Sequence, residues 1–331
     1  MNMKRLFALF LTLVITLSTL TGCGSGGNTS DENSVVIYSS DEDYINEYFL
    51  GRLKEQFPDY DITIEYLSTG ENAAKLMAEG TDSPCDIVWG LEVGYLDNLT
   101  ENLADISSFE TAKYVEDMQL GNGKYFVSHR YSGCIAVNTQ LLAKKGLAVP
   151  GSYEDLLKPE YQGLIAMPNP KSSGTGYIYL KSLVNAWGEE KAFDYFDKLS
   201  NAVLQFTSSG SGPINSLVSG EIAIAMGMTS QAVIEINNGQ PFEIIYFEEG
   251  APFTACGYGI VEGKQEKQAV KDVFEFFNST LIHEEKELYL PEQIFVDQEN
   301  TIENYPKEIP YSDMAGNTAD EKERLLEKWI Y

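Results

Sequence analysis

Five short runs of hydroxyl, glycine and acidic residues hold most of the chemistry this sequence offers. They are Ser39-Ser40-Asp41, Ser68-Thr69-Gly70, Ser172-Ser173-Gly174-Thr175, Ser208-Ser209-Gly210-Ser211 and the Met228-Thr229-Ser230 turn. Apart from Asp41 they bring donors without fixed charge. At a helix start, hydroxyls and free backbone N–H groups sit in the positive end of the helix dipole, which suits phosphate, phosphonate or carboxylate. The same residues also make ordinary N-caps. Two such turns on one rim, Ser172–Thr175 and Ser208–Ser211, shift the reading toward an anion. Arg130 could add a bidentate contact or simply face solvent.

A second chemistry is offered by Trp89, Glu92 and Asp41. An aromatic face with carboxylates suits an ammonium group, although Trp89 equally fits a packed core position. A zwitterion such as an aminophosphonate would use both halves of the site, and a polyamine only this one. Hydrolysis is poorly served: no Gly-x-Ser-x-Gly run occurs, and neither His129 nor His283 lies near a strand-end serine in sequence. Cys85, Cys134 and Cys256 form no CxxC pair and no His/Cys cluster, so no metal site and no cofactor are expected. The expectation is a binding protein and not an enzyme.

These runs need elements that bring them together, and the periodicity supplies them. Val35–Tyr38, Asp61–Tyr66 and Asp86–Trp89 read as strands, each ending in one of the polar turns or in glycine. Between them lie helical patterns carrying Ile45, Phe49 and Leu53, then Ala74, Leu76 and Met77. Further along, 164–167, 203–206 and 221–226 predict strands, with a helix over 177–187. Strand, polar turn and helix in repetition predict βαβ units and parallel sheets, whose ligands gather at the carboxyl ends of the strands.

The N-terminus reads as an export signal. Lys4 and Arg5 precede an apolar run, Leu6 to Leu20, too short for the ~20 residues a spanning helix needs. Leu20-Thr21-Gly22-Cys23 follows, and the Gly, Ser, Asn and acidic residues after it read as a flexible tether. No later run is long and apolar enough to span a membrane. A net charge of −27 sets the chain against nucleic acid and anionic lipid head groups.

Ser152-Tyr153-Glu154-Asp155-Leu156-Leu157, Pro159-Glu160-Tyr161-Gln162-Gly163 and Ile165-Ala166-Met167-Pro168-Asn169-Pro170 resemble a recurring segment of ABC-importer solute-binding proteins. So do Ser83-Pro84-Cys85-Asp86-Ile87-Val88, Lys171 through Tyr177, and Ser219-Gly220-Glu221-Ile222-Ala223-Ile224, over a stretch from about Val35 to Phe277. The nearest branch is that of ferric iron, phosphonate and sugar-phosphate carriers, with the type II periplasmic-binding-protein fold. Leu20 to Cys23 likewise resembles the lipobox of bacterial lipoproteins. The resemblance implies a lipid on Cys23, an extracytoplasmic monomer held on the cell membrane, and an ABC permease and ATPase as partners. It implies two α/β lobes joined by two hinge strands near 130–137 and 255–261. The domains are then 1–22 signal, 23–34 tether, 35–131 with 256–300 as one lobe and 132–255 as the other, with 301–331 unassigned. Members share the frame and differ in the cleft, so the ligand rests on the two hydroxyl turns, which point to a small anion: a phosphonate, aminophosphonate or sugar phosphate. Iron-binding members carry adjacent tyrosines after the strand that is here 221–226. This chain has Gly227-Met228-Thr229-Ser230-Gln231 there, which makes ferric iron the alternative, and a polyamine or other cation a further one. The two hinge strands lie side by side in the family, so Cys134 and Cys256 either pair as a disulfide or remain two buried thiols.

Overall fold

The structure is a computed structural model, and it describes residues 32–331. The signal segment, Cys23 and the tether up to residue 31 lie outside the described residues.

Nine strands form: β1 Ser34–Ser39, β2 Asp61–Tyr66, β3 Ile87–Glu92, β4 Phe126–Asn138, β5 Ile165–Pro168, β6 Val203–Thr207, β7 Ile224–Met228, β8 Phe242–Ile245 and β9 Phe253–Ile260. Their order is β2-β1-β3-β9-β4-β7-β5-β6, with β8 also on β4. β1, β2 and β3 are mutually parallel, and so are β5, β6 and β7. The strand expected over 221–226 starts later. Gly220 ends the preceding helix with a left-handed φ of 76°, and Ser216 O accepts from Glu221 N, so the first residues complete a turn.

One path links eight of these strands, with β8 beside it on β4, because β4 serves both sheets. Its first part, Phe126–Ser132, runs antiparallel to β9. Its second part, Gly133–Asn138, pairs with β7 and β8. Gly133 sits at the change of partner, where a Cβ would come within 2.8 Å of the Tyr179 ring and 2.9 Å of Pro252. The outgoing hinge lies where the sequence places it. The return does not: β9 is already held between β3 and β4, and the crossing precedes it at Gly250–Pro252, where Pro252 O accepts from Gly133 N.

This register separates the two hinge cysteines. Cys256 is opposite His129, while Cys134 pairs with Gly227. At ~3.3 Å per residue, the five positions from 129 to 134 put them roughly 16 Å apart along the strand, far beyond the ~7 Å a disulfide tolerates. Cys85, Cys134 and Cys256 are free and buried. Of the two alternatives, the offset of the return strand toward the first sheet leaves the two buried thiols.

Each lobe has its own apolar centre. In the first, Trp89 stacks on Phe277 at 4.3 Å and meets Phe49 edge-on at 5.3 Å. The second gathers Tyr153, Tyr177, Leu183 and Phe196, and also Leu325 and Trp329 from the C-terminal helix Ala319–Lys328. The C-terminal stretch also touches the hinge. Glu292 is buried and accepts from Ser132 N, from the Ser132 hydroxyl and from the hydroxyls of Tyr305 and Tyr311. A third segment, beyond the two hinge strands, thus spans the junction. Among the described residues no helix is long and apolar enough to cross a membrane.

Trp329 is 1% exposed. Trp329→Ala should therefore cost about 3–5 kcal/mol, read as a lowered urea midpoint. An unchanged midpoint would mean that the C-terminal helix is not part of the second core.

Candidate functional site

The strand ends converge on one cavity between the lobes, and helices begin there. Helix α1 (Asp43–Gln56) follows β1 and α2 (Thr69–Glu79) follows β2. From the other lobe come α3 (Gly174–Trp187) after β5, α4 (Gly212–Ser219) after β6 and α5 (Thr229–Asn237) after β7. Residues at or beside all five starts line the cavity: Ser40, Asp41, Glu42, Tyr44 and Ile45, Ser68 and Thr69, Ser172 to Thr175, Ser209 and Gly210, Met228 and Ser230. Five helix starts, each carrying the positive end of a helix dipole, therefore border one space. That space takes up about 60 Å³; at ~10–15 Å³ per water it holds roughly four to six water-sized groups. Among the described residues, no lysine or arginine lines it.

Of the residues singled out in the sequence, Ser40, Asp41, Ser68, Thr69, Ser172, Ser173, Gly174, Thr175 and Ser209 come together on this wall. The others do not. Ser39 points inward and donates to Asn46 Oδ1 at 2.6 Å. Thr229 is fully buried against the Ser132 hydroxyl. Ser208 is exposed outside the cavity. Arg130 ion-pairs with Asp117 and lies over the rings of Phe253 and Tyr311, at 5.5 and 5.1 Å. On a strand, neighbours point to opposite faces: His129 and Tyr131 face the cavity, so Arg130 faces away.

The expected ammonium subsite also dissolves. Both faces of Trp89 are packed, and its Nε1–H donates to Asp41 Oδ2 at 2.6 Å. Glu92 lies beneath Gly174, where any Cβ would overlap its Oε1, and Lys322 neutralises it at 2.7 Å. Lys322 in turn sits 4.7 Å from the rings of Tyr95 and Tyr177. A protein lysine fills the role foreseen for a ligand.

The cavity floor is charged. His129 Nε2 is 3.6 Å from Asp41 Oδ1, and its Nδ1 is 3.4 Å from Glu285 Oε1. Lys286 donates to the other oxygen of Glu285. Burial pushes the Asp41 carboxyl up to about 6, with Glu285 adding to the rise and His129 and Trp89 opposing it. Burial also works against charge on Glu285, but Lys286 and His129 outweigh it and hold that carboxyl at about 2. Glu42, at the rim, is pushed up to about 7, burial prevailing over a hydrogen bond from Ser211 of the opposite lobe. Asp41, His129 and Glu285 offer ligand atoms within 4.8 Å of one another. The two carboxylates face different ring nitrogens, however, and an ammonium already holds Glu285. The set is a chain of facing polar groups and not a chelate.

His129, Glu42, Tyr44 and Ser230 were not read as ligand contacts in the sequence. Alternation along β4 would have exposed His129 once its facing was known; nothing in the sequence sets that facing. The buried phenols of Tyr44 and Tyr131 titrate far above the ordinary tyrosine range because burial disfavours the phenolate.

The raised carboxyls have a stability consequence. Glu42 is protonated when folded at pH values where the unfolded chain has already ionised it, so its contribution falls as pH rises from about 4.5 to about 7. Asp41 behaves alike between about 3.8 and 6. Thermal stability of the ligand-free protein should decline from pH 5 to pH 8, and Glu42→Gln should flatten that decline. An equally steep decline in the variant would place Glu42 in solvent.

Residues 82–284 match the family of bacterial extracellular solute-binding proteins. An uncharacterized protein of Haemophilus influenzae is 27% identical over 341 residues, covering 96% of this chain and 95% of its own length. The periplasmic binding protein AfuA of Actinobacillus pleuropneumoniae, solved with fructose 6-phosphate, matches with a TM-score of 0.74 at 24% identity, over 90% of this chain and 97% of that one. The ferric binding protein of Campylobacter jejuni matches at 0.67 and 16%, over 89% and 98%. These structural likenesses carry the fold. A cavity walled by strand ends and helix starts of both lobes is what capture of a small solute requires, and with the family match spanning more than half of its length the chain belongs to the bacterial extracellular solute-binding proteins.

Proposed function

We propose that this protein captures a small oxyanion-bearing solute, a phosphonate or a phosphate ester, for an ABC importer in the cell membrane. The observation that carries the ligand class is the convergence of five helix starts on a hydroxyl-lined cavity without lysine or arginine. Oriented N–H groups and hydroxyls satisfy an oxyanion with partial charges. The enclosed volume suits a phosphoryl or phosphonyl head group. The rest of such a solute would extend toward Tyr66 and the rim. Iron is disfavoured because the phenols on the wall are held protonated by burial. A free cation remains the competing reading through Asp41 and Glu42, which both line the cavity. The raised pKa of Glu42, about 7, weakens it, since that carboxyl is only partly charged at neutral pH.

For the anchor we propose a lipid on Cys23, after cleavage of the apolar N-terminal segment. Cys23→Ala should then move the protein from the membrane fraction to the medium or periplasm. Retention in the membrane would show that another device holds it.

For the ligand, a thermal-shift panel of inorganic phosphate, methylphosphonate, 2-aminoethylphosphonate, fructose 6-phosphate, ferric citrate and spermidine separates the readings. A ligand at 100 times its Kd stabilises by about 2.7 kcal/mol, roughly 5 °C or more for a chain of this size. At least one phosphorus oxyanion should do so. Thr175→Asp, adding a like charge at the start of α3, should weaken that binding tenfold or more. Saturable stabilisation by ferric citrate or spermidine, with none by the oxyanions, would reverse the assignment.

A further inference from the structure

An anion entering this cavity meets an electrostatic problem that helix dipoles alone do not solve. Asp41 and Glu42 both stand on its wall, and no lysine or arginine opposes them. Among the described residues, the single lining group able to become a cation is His129. We propose that the cleft takes its oxyanion together with one proton, and that His129, as an imidazolium between Asp41 and Glu285, is the residue that selects for negative charge. The proposal rests on the oxyanion reading above and adds to it the group that makes the cavity positive.

The surroundings of the ring support this role. From the turn after β1, Asp41 Oδ1 faces Nε2 at 3.6 Å. From the helix Ile282–Leu288, Glu285 Oε1 faces Nδ1 at 3.4 Å and has no hydrogen-bond partner, although it is fully buried. Lys286 of the same helix donates to the second oxygen of Glu285 and so offsets that charge. On its own strand the ring meets the Ser128 hydroxyl at 3.2 Å and the ring of Tyr131 at 6.0 Å. Cys256 of β9 lies opposite in register, and Glu42 and Tyr44 face the same cavity. With Glu285 and Lys286 compensating each other, Asp41 and His129 are left to set the local charge. An orphaned carboxylate oxygen on the Nδ1 side is a waiting acceptor for an N–H there. The Nε2 side opens on Asp41 and the cavity. A doubly protonated ring would therefore satisfy Glu285 with one N–H and meet the ligand with the other.

The proton balance is simple. Asp41, which titrates at about 6, is ionised at pH 8. On entry of the oxyanion one proton comes from solvent onto the imidazole, the pair becomes neutral overall, and no covalent bond forms or breaks. Release of the solute returns the proton. Histidine suits this use because its ordinary titration falls between pH 5 and 8. By linkage, affinity should then rise as pH falls, by up to about tenfold per pH unit for one proton.

The test uses the purified protein and two named probes. Sulfate does not titrate between pH 6 and 8, so any proton taken up with it belongs to the protein; inorganic phosphate is the second probe. Calorimetric titrations at pH 6, 7 and 8, in paired buffers of different ionisation enthalpy, count the protons. Wild type should take up close to one at pH 7–8. His283→Gln, a ring outside this cavity, should keep that uptake, and His129→Gln should lose it. Asp41→Asn removes the opposing charge and should bind sulfate or phosphate more tightly than wild type at pH 8, with a flat pH profile. Such a gain cannot come from misfolding. His129→Gln, checked for an unchanged unfolding midpoint, should bind about tenfold more weakly at pH 6. Zero proton uptake, uptake kept in His129→Gln, full affinity in His129→Gln, weaker binding in Asp41→Asn, or binding abolished by EDTA would each overturn the proposal. Binding of an oxyanion without any pH dependence would sink this inference alone and leave the ligand class standing. If neither probe binds at any pH, the oxyanion reading falls with it.

Discussion

Strand β4 changes partners between Ser132 and Gly133, and the cleft exists because of that change. A strand is straight over a few residues and its side chains alternate. Running β4 through both sheets therefore sets the lobes at a common junction and fixes which of its residues face the space between them. His129 and Tyr131 point to the cavity, while Arg130 points to the far side against Asp117, Phe253 and Tyr311. Gly133 permits the close approach of Tyr179 and Pro252 at the pivot. The hydroxyl of Tyr179 donates to Cys134 O and Gly227 O, tying α3 to the strands beside it. A shift of one residue along β4 would turn a different set of side chains to the ligand.

Around that junction, buried charge is arranged in compensated groups. Glu92 is closed off by Lys322, Glu285 by Lys286, and Glu292 by three hydroxyls and a backbone N–H. Removing a partner from such a group leaves a desolvated charge, which costs far more than the pair contributes. These clusters lie where segments from different parts of the chain meet: β3 with the C-terminal helix, and β4 with residues 292–311. They act as register marks between lobes more than as net stabilisers. The Asp41–His129 pair differs, because one of its sides is the cavity. It is the point at which internal compensation is incomplete, and so the point at which a ligand's charge can matter.

The C-terminal segment changes the picture of closure. Two hinge strands alone would leave the lobes free to bend about one line. Leu325 and Trp329 are instead seated in the second core, Lys322 reaches Glu92 under the cavity, and Tyr305 and Tyr311 hold Glu292 at the hinge. Motion between lobes must carry this third segment along, which restrains it as a packed interface would.

Much of the frame was legible in order. The parallel strands, the helix starts and the hydroxyl runs follow from local periodicity and capping chemistry, which act over a few residues. Ser40, Thr69, Ser173, Gly174, Thr175 and Ser209 reach the cavity because strand ends and helix starts are adjacent in any βαβ unit. Facing and offset were decided only in the fold. Trp89, Glu92, Arg130 and Thr229 stood beside the right turns and turned away from them, since a side chain's direction depends on which sheet face is covered. Cys134 and Cys256 share the hinge region yet belong to different rungs, because the offset of β9 on β4 is set by packing in the first lobe. The charged floor is the clearest case. Asp41, His129 and Glu285 are separated by long stretches of chain, and only the burial that brings them into one low-dielectric space makes a proton on one of them depend on the others.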